Sequence, residues 1–494
     1  MIRIKPIHFN LRFALVALSL GAISLPQAQT QDDRLPEMGS SAETVMTPGA
    51  EQRLGQSFMR KVRETLPLLD DPLALDYLEG LGAQLLTAAH QDPSGFRFFI
   101  IDQSVVNALA GPGGHIGVYT GLILAAKTES ELAAVIAHEI AHISQRHLLR
   151  SLEEQNRLLL PTAALLIAGA ILGAQVSGDA GAAAIAGAQA ALLQRQINFT
   201  REHEHEADRI GITMLAQAGF DPYAMAGFFE HLSKASRVTE TSTPELLRTH
   251  PVNANRIAEA LVRADTFGVR QRLDSLRFHL TRAALRERSY KRPEQAIEHF
   301  NATLQSGRYR EARAEHYGLA LALLRAGRIE VARQALEQAR QGQGGLAEFV
   351  ILNARLDLEQ GQTEQAVRSL KDAVALDPER WPLRLAYAEA LLKAGRAAQA
   401  IDELLAVARL RPSNPVLYDR LEQAAIRAGN LGATHRFRAE RLYAEGECEL
   451  AIRQLEIALR QRDLPYHEAA RIQARLETWK EEERDAKRNK RGER

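Results

Sequence analysis

Glu131-Leu-Ala-Ala-Val-Ile-Ala-His138-Glu139-Ile140-Ala141-His142-Ile-Ser144 is the stretch from which the rest of this chain is read. Its residues are apolar or helix-forming, and neither Gly nor Pro occurs from Ser130 to Leu160, so one helix is predicted there. On a helix, His138 and His142 stand about 40° apart around the axis, and both imidazoles leave the same face. That spacing lets two ring nitrogens reach one zinc ion, while Glu139 projects beside them toward a water molecule. The bare five-residue pattern also arises by chance on surface helices. Here it lies in an apolar helix, where two histidines and a glutamate are costly to bury without a task. The residues therefore point to a zinc hydrolase.

A catalytic zinc site with two histidine ligands needs one more protein ligand, leaving the fourth position open. The next candidate stretch is Thr200-Arg-Glu-His-Glu-His-Glu-Ala-Asp-Arg-Ile-Gly211, again helical in composition. Glu202, His203, Glu204, His205 and Glu206 all compete by proximity, and chemistry alone does not choose among them.

The chain of 494 residues has room for two or three domains, and 46% hydrophobic content supports ordinary globular cores. A net charge of +1 and 5% aromatic residues give no basis for nucleic-acid binding. At the N-terminus, Arg3, Lys5 and Arg12 precede an apolar run from Phe13 to Leu25 and then Pro26-Gln-Ala-Gln29. This order predicts a secretory signal peptide over residues 1–28 and hence export. The apolar run is shorter than the ~20 residues that span a bilayer. Cys448 is the only cysteine, so no intrachain disulfide is available in an oxidising compartment.

Residues 29–50 are polar and rich in Pro, Gly and Ser, which predicts a mobile leader. Leu66, Leu69, Leu73, Leu75, Leu78 and Leu81 suggest two helices between Glu51 and Ala89. Phe96 to Asp102 reads as a buried strand, Gly111-Pro-Gly-Gly114 as a turn, and His115 to Thr120 as a second strand. Strand, glycine turn, strand and metal helix form an α+β, zincin-like order. The second strand is either an edge that pairs with an extended substrate or an internal strand. Residues 158–193 form two small-residue apolar halves divided near Asp179, each too short for confident spanning. A helical hairpin is expected, packed over the metal cleft by default, with peripheral membrane contact as the alternative.

Arg201-x-x-Glu204-x-x-Ala207-Asp208, some sixty residues beyond the first motif, resembles the HtpX and CAAX-prenyl-protease type of zinc metallopeptidase. The resemblance implies that Glu204 is the third zinc ligand beside His138 and His142. It implies that Asp208 orients a ligand histidine in support of the catalytic Glu139. Glu204 and Asp208 at i and i+4 share a helix face, in keeping with this, while His203 and His205 are expected to be solvated. Thr249-His250-Pro251 with Arg256 matches another element of the family. In relatives that assist β-barrel assembly, a histidine here is implicated as a zinc-binding switch that holds the enzyme latent. For His250 that latch stands beside a role as transition-state donor.

From about Arg272 the chain is rich in Ala, Leu, Glu and Arg, and Gly327, Gly361, Gly395 and Gly429 recur at intervals of 34 residues. That is the tetratricopeptide period. Ala332, Ala366 and Ala400 follow at five residues, Leu336, Leu370 and Leu404 at nine, and Pro378 and Pro412 end two units. Thr434 breaks the pattern after Gly429, Gly446 with Ala451 restarts it out of register, and Ala296 and Ala312 hint at degenerate earlier units.

The expected chain is thus mainly helical: a peptidase domain over 51–270, an all-α repeat solenoid over 272–480, and a charged, frayed tail over 481–494. The whole resembles the exported metallopeptidases with C-terminal repeats. That resemblance implies one zinc ion per chain, a Gram-negative periplasm with outer-membrane association, and unfolded or misassembled outer-membrane proteins as clients. It also implies contact with the β-barrel assembly machinery through the repeats. An assembly chaperone with latent protease activity is the alternative.

Overall fold

The structure is a computed structural model that describes residues 46–154, 201–238 and 244–492, apart from 343, 412–413 and 462–463. The expected signal peptide, most of the leader, the 158–193 hairpin and Pro412 lie outside the described residues.

Two helices open the described chain, α1 (Pro48–Thr65) and α2 (Pro72–Ala88). Each starts with a proline whose missing N–H costs nothing in the first turn. The side chain of Asp71 accepts from the backbone N–H groups of Leu73 and Ala74 to cap α2. Strands β1 (Arg97–Ile101), β2 (Ala108–Gly111) and β3 (His115–Tyr119) follow, then α3 (Thr120–Ala125) and the metal-motif helix α4 (Glu129–Ser144). The sheet order is β1-β3-β2, with β1 parallel and β2 antiparallel to β3. The strand just upstream of the metal helix is therefore the internal one, and edge pairing cannot use it. The edge strand β2 lies beside α4 instead. Its composition, Ala-Leu-Ala-Gly, has little intrinsic strand preference, so its conformation comes from pairing with β3. The connecting turn needs glycine: Gly114 has φ +77, and a Cβ there would lie 2.0 Å from the Gly95 carbonyl oxygen.

The predicted helix from Ser130 to Leu160 is broken. Helix α4 ends at Ser144, Arg146 takes a left-handed φ of 54°, and a new helix, α5 (His147–Glu154), begins at once. Every residue of α4 from Glu129 to His142 is buried, because the sheet, α2, α6 (Arg201–Gln217) and α7 (Ala224–Val238) enclose it. Helix α8 (Glu245–Thr249) and helix α9 (Ala254–Asp265) close this unit.

The remainder is a stack of antiparallel helix pairs: α10 (Leu276–Ser289) with α11 (Pro293–Ser306), α12 (Ala312–Arg325) with α13 (Ile329–Ala339), and α14 (Ala347–Glu359) with α15 (Thr363–Leu376). Then come α16 (Trp381–Lys393) with α17 (Ala397–Leu410), α18 (Pro415–Arg427) with α19 (Leu431–Glu445), and α20 (Cys448–Ala458) with α21 (Tyr466–Gly492). Gly327, Gly361, Gly395 and Gly429 turn the first helix of a pair into the second with φ between 69° and 74°. Ala332, Ala366 and Ala400 are fully buried where the paired helices meet. Thr434 is buried in the same slot, so the irregular copy still packs as a unit. Ala296 belongs to a real earlier pair, whereas Ala312 only heads α12 and marks no unit of its own. The charged tail is also helical, continuing α21 to Gly492. Among the described residues no helix is long and apolar enough to cross a membrane.

Candidate metal centre

The centre is built where α4 and α6 touch. Gly211 makes the close approach available: a Cβ there would meet Met225 Cε at 2.9 Å and the His138 backbone nitrogen at 3.2 Å. Asp208 and Glu204, about one and two turns before it, consequently face the histidines of α4. His138, His142, Glu204 and His250 each bring one donor atom to within 4.8 Å of the others, and all four residues are buried. His138 Nε2 lies 2.9 Å from His142 Nε2 and 3.3 Å from His250 Nδ1. Glu204 oxygens lie 3.5 Å from both Nε2 atoms and 2.9 Å from His250 Nδ1.

These separations have the size expected of a metal's ligand shell. Ligand atoms about 2.0–2.1 Å from a tetrahedral zinc ion sit roughly 3.3 Å from one another. Imidazole lone pairs and carboxylate oxygens crowded together in a buried place repel unless a cation or a proton lies among them. The donor set therefore fits a metal ion, and two neutral imidazoles with a carboxylate suit zinc.

Protonation follows the same logic. Burial alone lowers the affinity of His138 for a proton, but hydrogen bonds to Asp208 and Glu204 outweigh it and raise its pKa to about 10. Burial, with the charge of His138 beside it, holds His142 well below the usual imidazole range. Burial opposes the charge of Glu204, yet His250, His138 and His142 keep this carboxyl well below its ordinary value. His138 is therefore the member of the cluster with the highest affinity for a proton, the position a bound metal would compete for.

Asp208 touches His138 rather than the middle of the cluster, with Oδ1 2.9 Å from Nδ1. The Arg256 guanidinium grips both oxygens of Asp208, Nε at 2.8 Å and Nη2 at 2.9 Å. Its third nitrogen, Nη1, reaches Glu204 Oε2 at 2.9 Å and the Pro251 carbonyl at 2.9 Å. One buried cation thus fastens the candidate glutamate, the aspartate behind His138 and the segment carrying His250. Glu139 is 1% exposed, and neither of its carboxylate oxygens accepts a hydrogen bond. Burial raises its pKa, partly offset by the charges of His250 and His138. The His250 ring separates it from the cluster, with Nδ1 facing the donors and Nε2 3.5 Å from Glu139 Oε1.

All six residues singled out in the sequence thus converge in one place. His205 is partly exposed and pairs with Glu259, as a solvated residue does. His203 is not solvated: it is 8% exposed and stacks on His147, ring centroids 4.4 Å apart. One neighbour, Arg256, was named without a role, and another, His147, was not named at all. His147, 2.9 Å from His142, follows the motif at a spacing that an unbroken helix would carry away.

The chain matches the family model for peptidase family M48 over residues 72–264, and tetratricopeptide-repeat models over 281–345 and 357–425. It is 33% identical over 463 residues to the beta-barrel assembly-enhancing protease of Escherichia coli (strain K12), covering 94% of each chain. With the protein of the same name from Yersinia pestis it shares 33% identity over 445 residues, 90% of this chain and 91% of that one. Metalloprotease LoiP of Escherichia coli is 30% identical over 165 residues, 33% of this chain and 61% of LoiP. Similarity over nearly the full length, the M48 match and the histidine and glutamate cluster establish that the chain belongs to peptidase family M48, as a metallopeptidase of the beta-barrel assembly-enhancing type with C-terminal tetratricopeptide repeats.

Proposed function

We propose that the chain is a zinc endopeptidase of outer-membrane protein quality control, held latent by His250. The supporting observation is the placement of the His250 imidazole among His138, His142 and Glu204, where an open zinc site would admit water. In this reading His138, His142 and Glu204 hold the metal, and Asp208 sets the ring of His138. When bound, zinc supplies Lewis acidity to the carbonyl under attack and lowers the pKa of the attacking water. Glu139 takes that water's proton and later delivers it to the leaving amine. Its raised pKa suits both halves of the exchange. His250 stands between Glu139 and the donors, so the proton path exists only when its ring has moved out.

The E. coli relative is named for enhancing β-barrel assembly, and by analogy the clients are unfolded or stalled outer-membrane proteins met in the periplasm after export. Edge strand β2, beside the metal helix, is where an extended client would add its own strand. The repeats, over about 272–480, would recruit client or assembly machinery, and the peptidase unit would span about 51–270.

The test is metal analysis beside cleavage of unfolded casein. Wild type should hold one zinc ion and cleave slowly. His250→Ala should cleave roughly tenfold faster if the closed state holds nine-tenths of the population. Glu139→Gln should keep the metal and lose roughly 10²–10⁴-fold in kcat. A His250→Ala protein no faster than wild type would rule out the latch. Rescue of an outer-membrane defect by Glu139→Gln would favour the chaperone role over proteolysis.

A further inference from the structure

We propose that His147 and Glu206 position the zinc ligand His142, through a hydrogen-bonded chain running from His142 Nδ1 across the His147 ring to the Glu206 carboxylate. This rests on the reading of His142 as a ligand through Nε2. The geometry is complete: His142 Nδ1 to His147 Nδ1 is 2.9 Å, and His147 Nε2 to Glu206 Oε2 is 3.0 Å. Arg150 Nη1 holds the far end, 3.2 Å from the same Glu206 oxygen.

Chemistry sets the direction of every bond in the chain. A neutral imidazole that ligates through Nε2 carries its proton on Nδ1, and that N–H needs an acceptor once buried. His147 accepts it on Nδ1, which leaves its own proton on Nε2 to be donated to Glu206. His147 is fully buried, and its ring stacks on His203 at an interplanar angle of 12°, so it has little freedom to turn away.

The backbone is bent to make this contact. On an unbroken helix, residues five apart point about 140° away from each other, and His147 would face away from His142. The left-handed turn at Arg146 removes that angle, although L side chains other than Asn and Asp rarely adopt it. Arg146 is held there by Glu51, 3.3 Å away. Strained backbone residues cluster at functional sites, where the surrounding structure holds them in place.

The two candidate histidine ligands are thereby anchored differently. His138 meets the Asp208 carboxylate directly, backed by Arg256, whereas His142 meets a neutral ring with its carboxylate one residue farther out. The negative charge behind His142 is therefore more distant from the metal than the one behind His138.

Zinc affinity of the full-length chain, measured by competition with a chromophoric chelator, tests the assignment beside kcat and KM. His147→Phe keeps a ring to stack on His203 but offers no acceptor, and His147→Asn offers an amide oxygen near the position of Nδ1. The expected result is zinc binding weakened roughly 10–100-fold in His147→Phe, with kcat lowered and KM little changed, and most of the affinity recovered in His147→Asn. The reverse ranking, or Phe binding as tightly as wild type, would overturn the proposal in favour of simple packing. Should His147→Phe fail to fold by circular dichroism, Glu206→Gln decides: a several-fold loss of affinity supports the chain, and none overturns it. A wild-type protein that takes up no zinc would overturn the metal centre itself, and this inference with it.

Discussion

His138 is the residue on which the chemistry of the cluster turns, because Asp208 and Glu204 raise its affinity for a proton and zinc would compete for the same imidazole. With its pKa raised to about 10, it is protonated in the metal-free chain at neutral pH. His142, held low, and Glu204, already ionised, contribute no proton. Zinc must displace the proton on His138, so affinity is lost as pH falls and gained as pH rises toward that value. Uptake should release about one proton per zinc, and affinity should rise about tenfold per pH unit between roughly pH 6 and 9. Calorimetry in buffers of different ionisation enthalpy reads the proton count, and uptake without proton release would contradict this protonation state. At this scale the sequence was partly legible. His138, Glu139 and His142 follow from local helical spacing alone. Glu204 had four neighbours of similar chemistry and was selected only by family resemblance. The grip of Arg256 on Asp208 joins residues 48 positions apart, which no local pattern records.

Helices α4 and α6 are the elements that make the centre, and their spacing is set by small residues. Ala137, Ala141 and Ala207 are fully buried, and Gly211 faces the His138 backbone. Gly211→Val would drive methyl groups into Met225 and that backbone, forcing α6 outward together with Glu204 and Asp208. Overpacking of this kind costs about 1–3 kcal/mol, and zinc affinity should fall with the stability. Denaturant unfolding with and without zinc checks it; a variant of wild-type stability and affinity would show the approach to be looser than described. Element scale is also where sequence reading lost detail. The break after Ser144 hinges on an arginine rather than a glycine, so composition gave no mark of it. Strand β2 is alanine- and glycine-rich, and exists because β3 pairs with it. The repeats were plain by contrast, since left-handed glycines at a fixed period leave a signature in composition itself.

The whole molecule joins the solenoid to the metal helix through a shared pair of helix starts. Glu129, the first residue of α4, accepts from the N–H of Ser275 at 3.0 Å, its hydroxyl at 2.6 Å and the Tyr77 hydroxyl at 3.0 Å. Asp274 in turn accepts from the Glu129 N–H at 2.7 Å. Ser275 is the N-cap of α10, so the first solenoid helix and the metal helix cap one another. Farther along, Arg277 bridges Asp76 of α2 and Glu348 of α14, while Arg411 and Arg420 reach Glu79 and Asp70. The solenoid therefore follows the peptidase unit along α2 rather than hanging from a linker. Glu129→Ala would leave the Ser275 and Tyr77 donors unmatched at this junction and should cost about 2–4 kcal/mol. Denaturant titration measures it, and a loss below about 1 kcal/mol would mean that the junction is wet and loose. Whether His250 closes a zinc centre is read by X-ray absorption at the zinc edge on the purified full-length chain. Wild type should show four-coordinate zinc with three imidazoles and one carboxylate, falling to two imidazoles in His250→Ala. Two imidazoles in both proteins would contradict that closure.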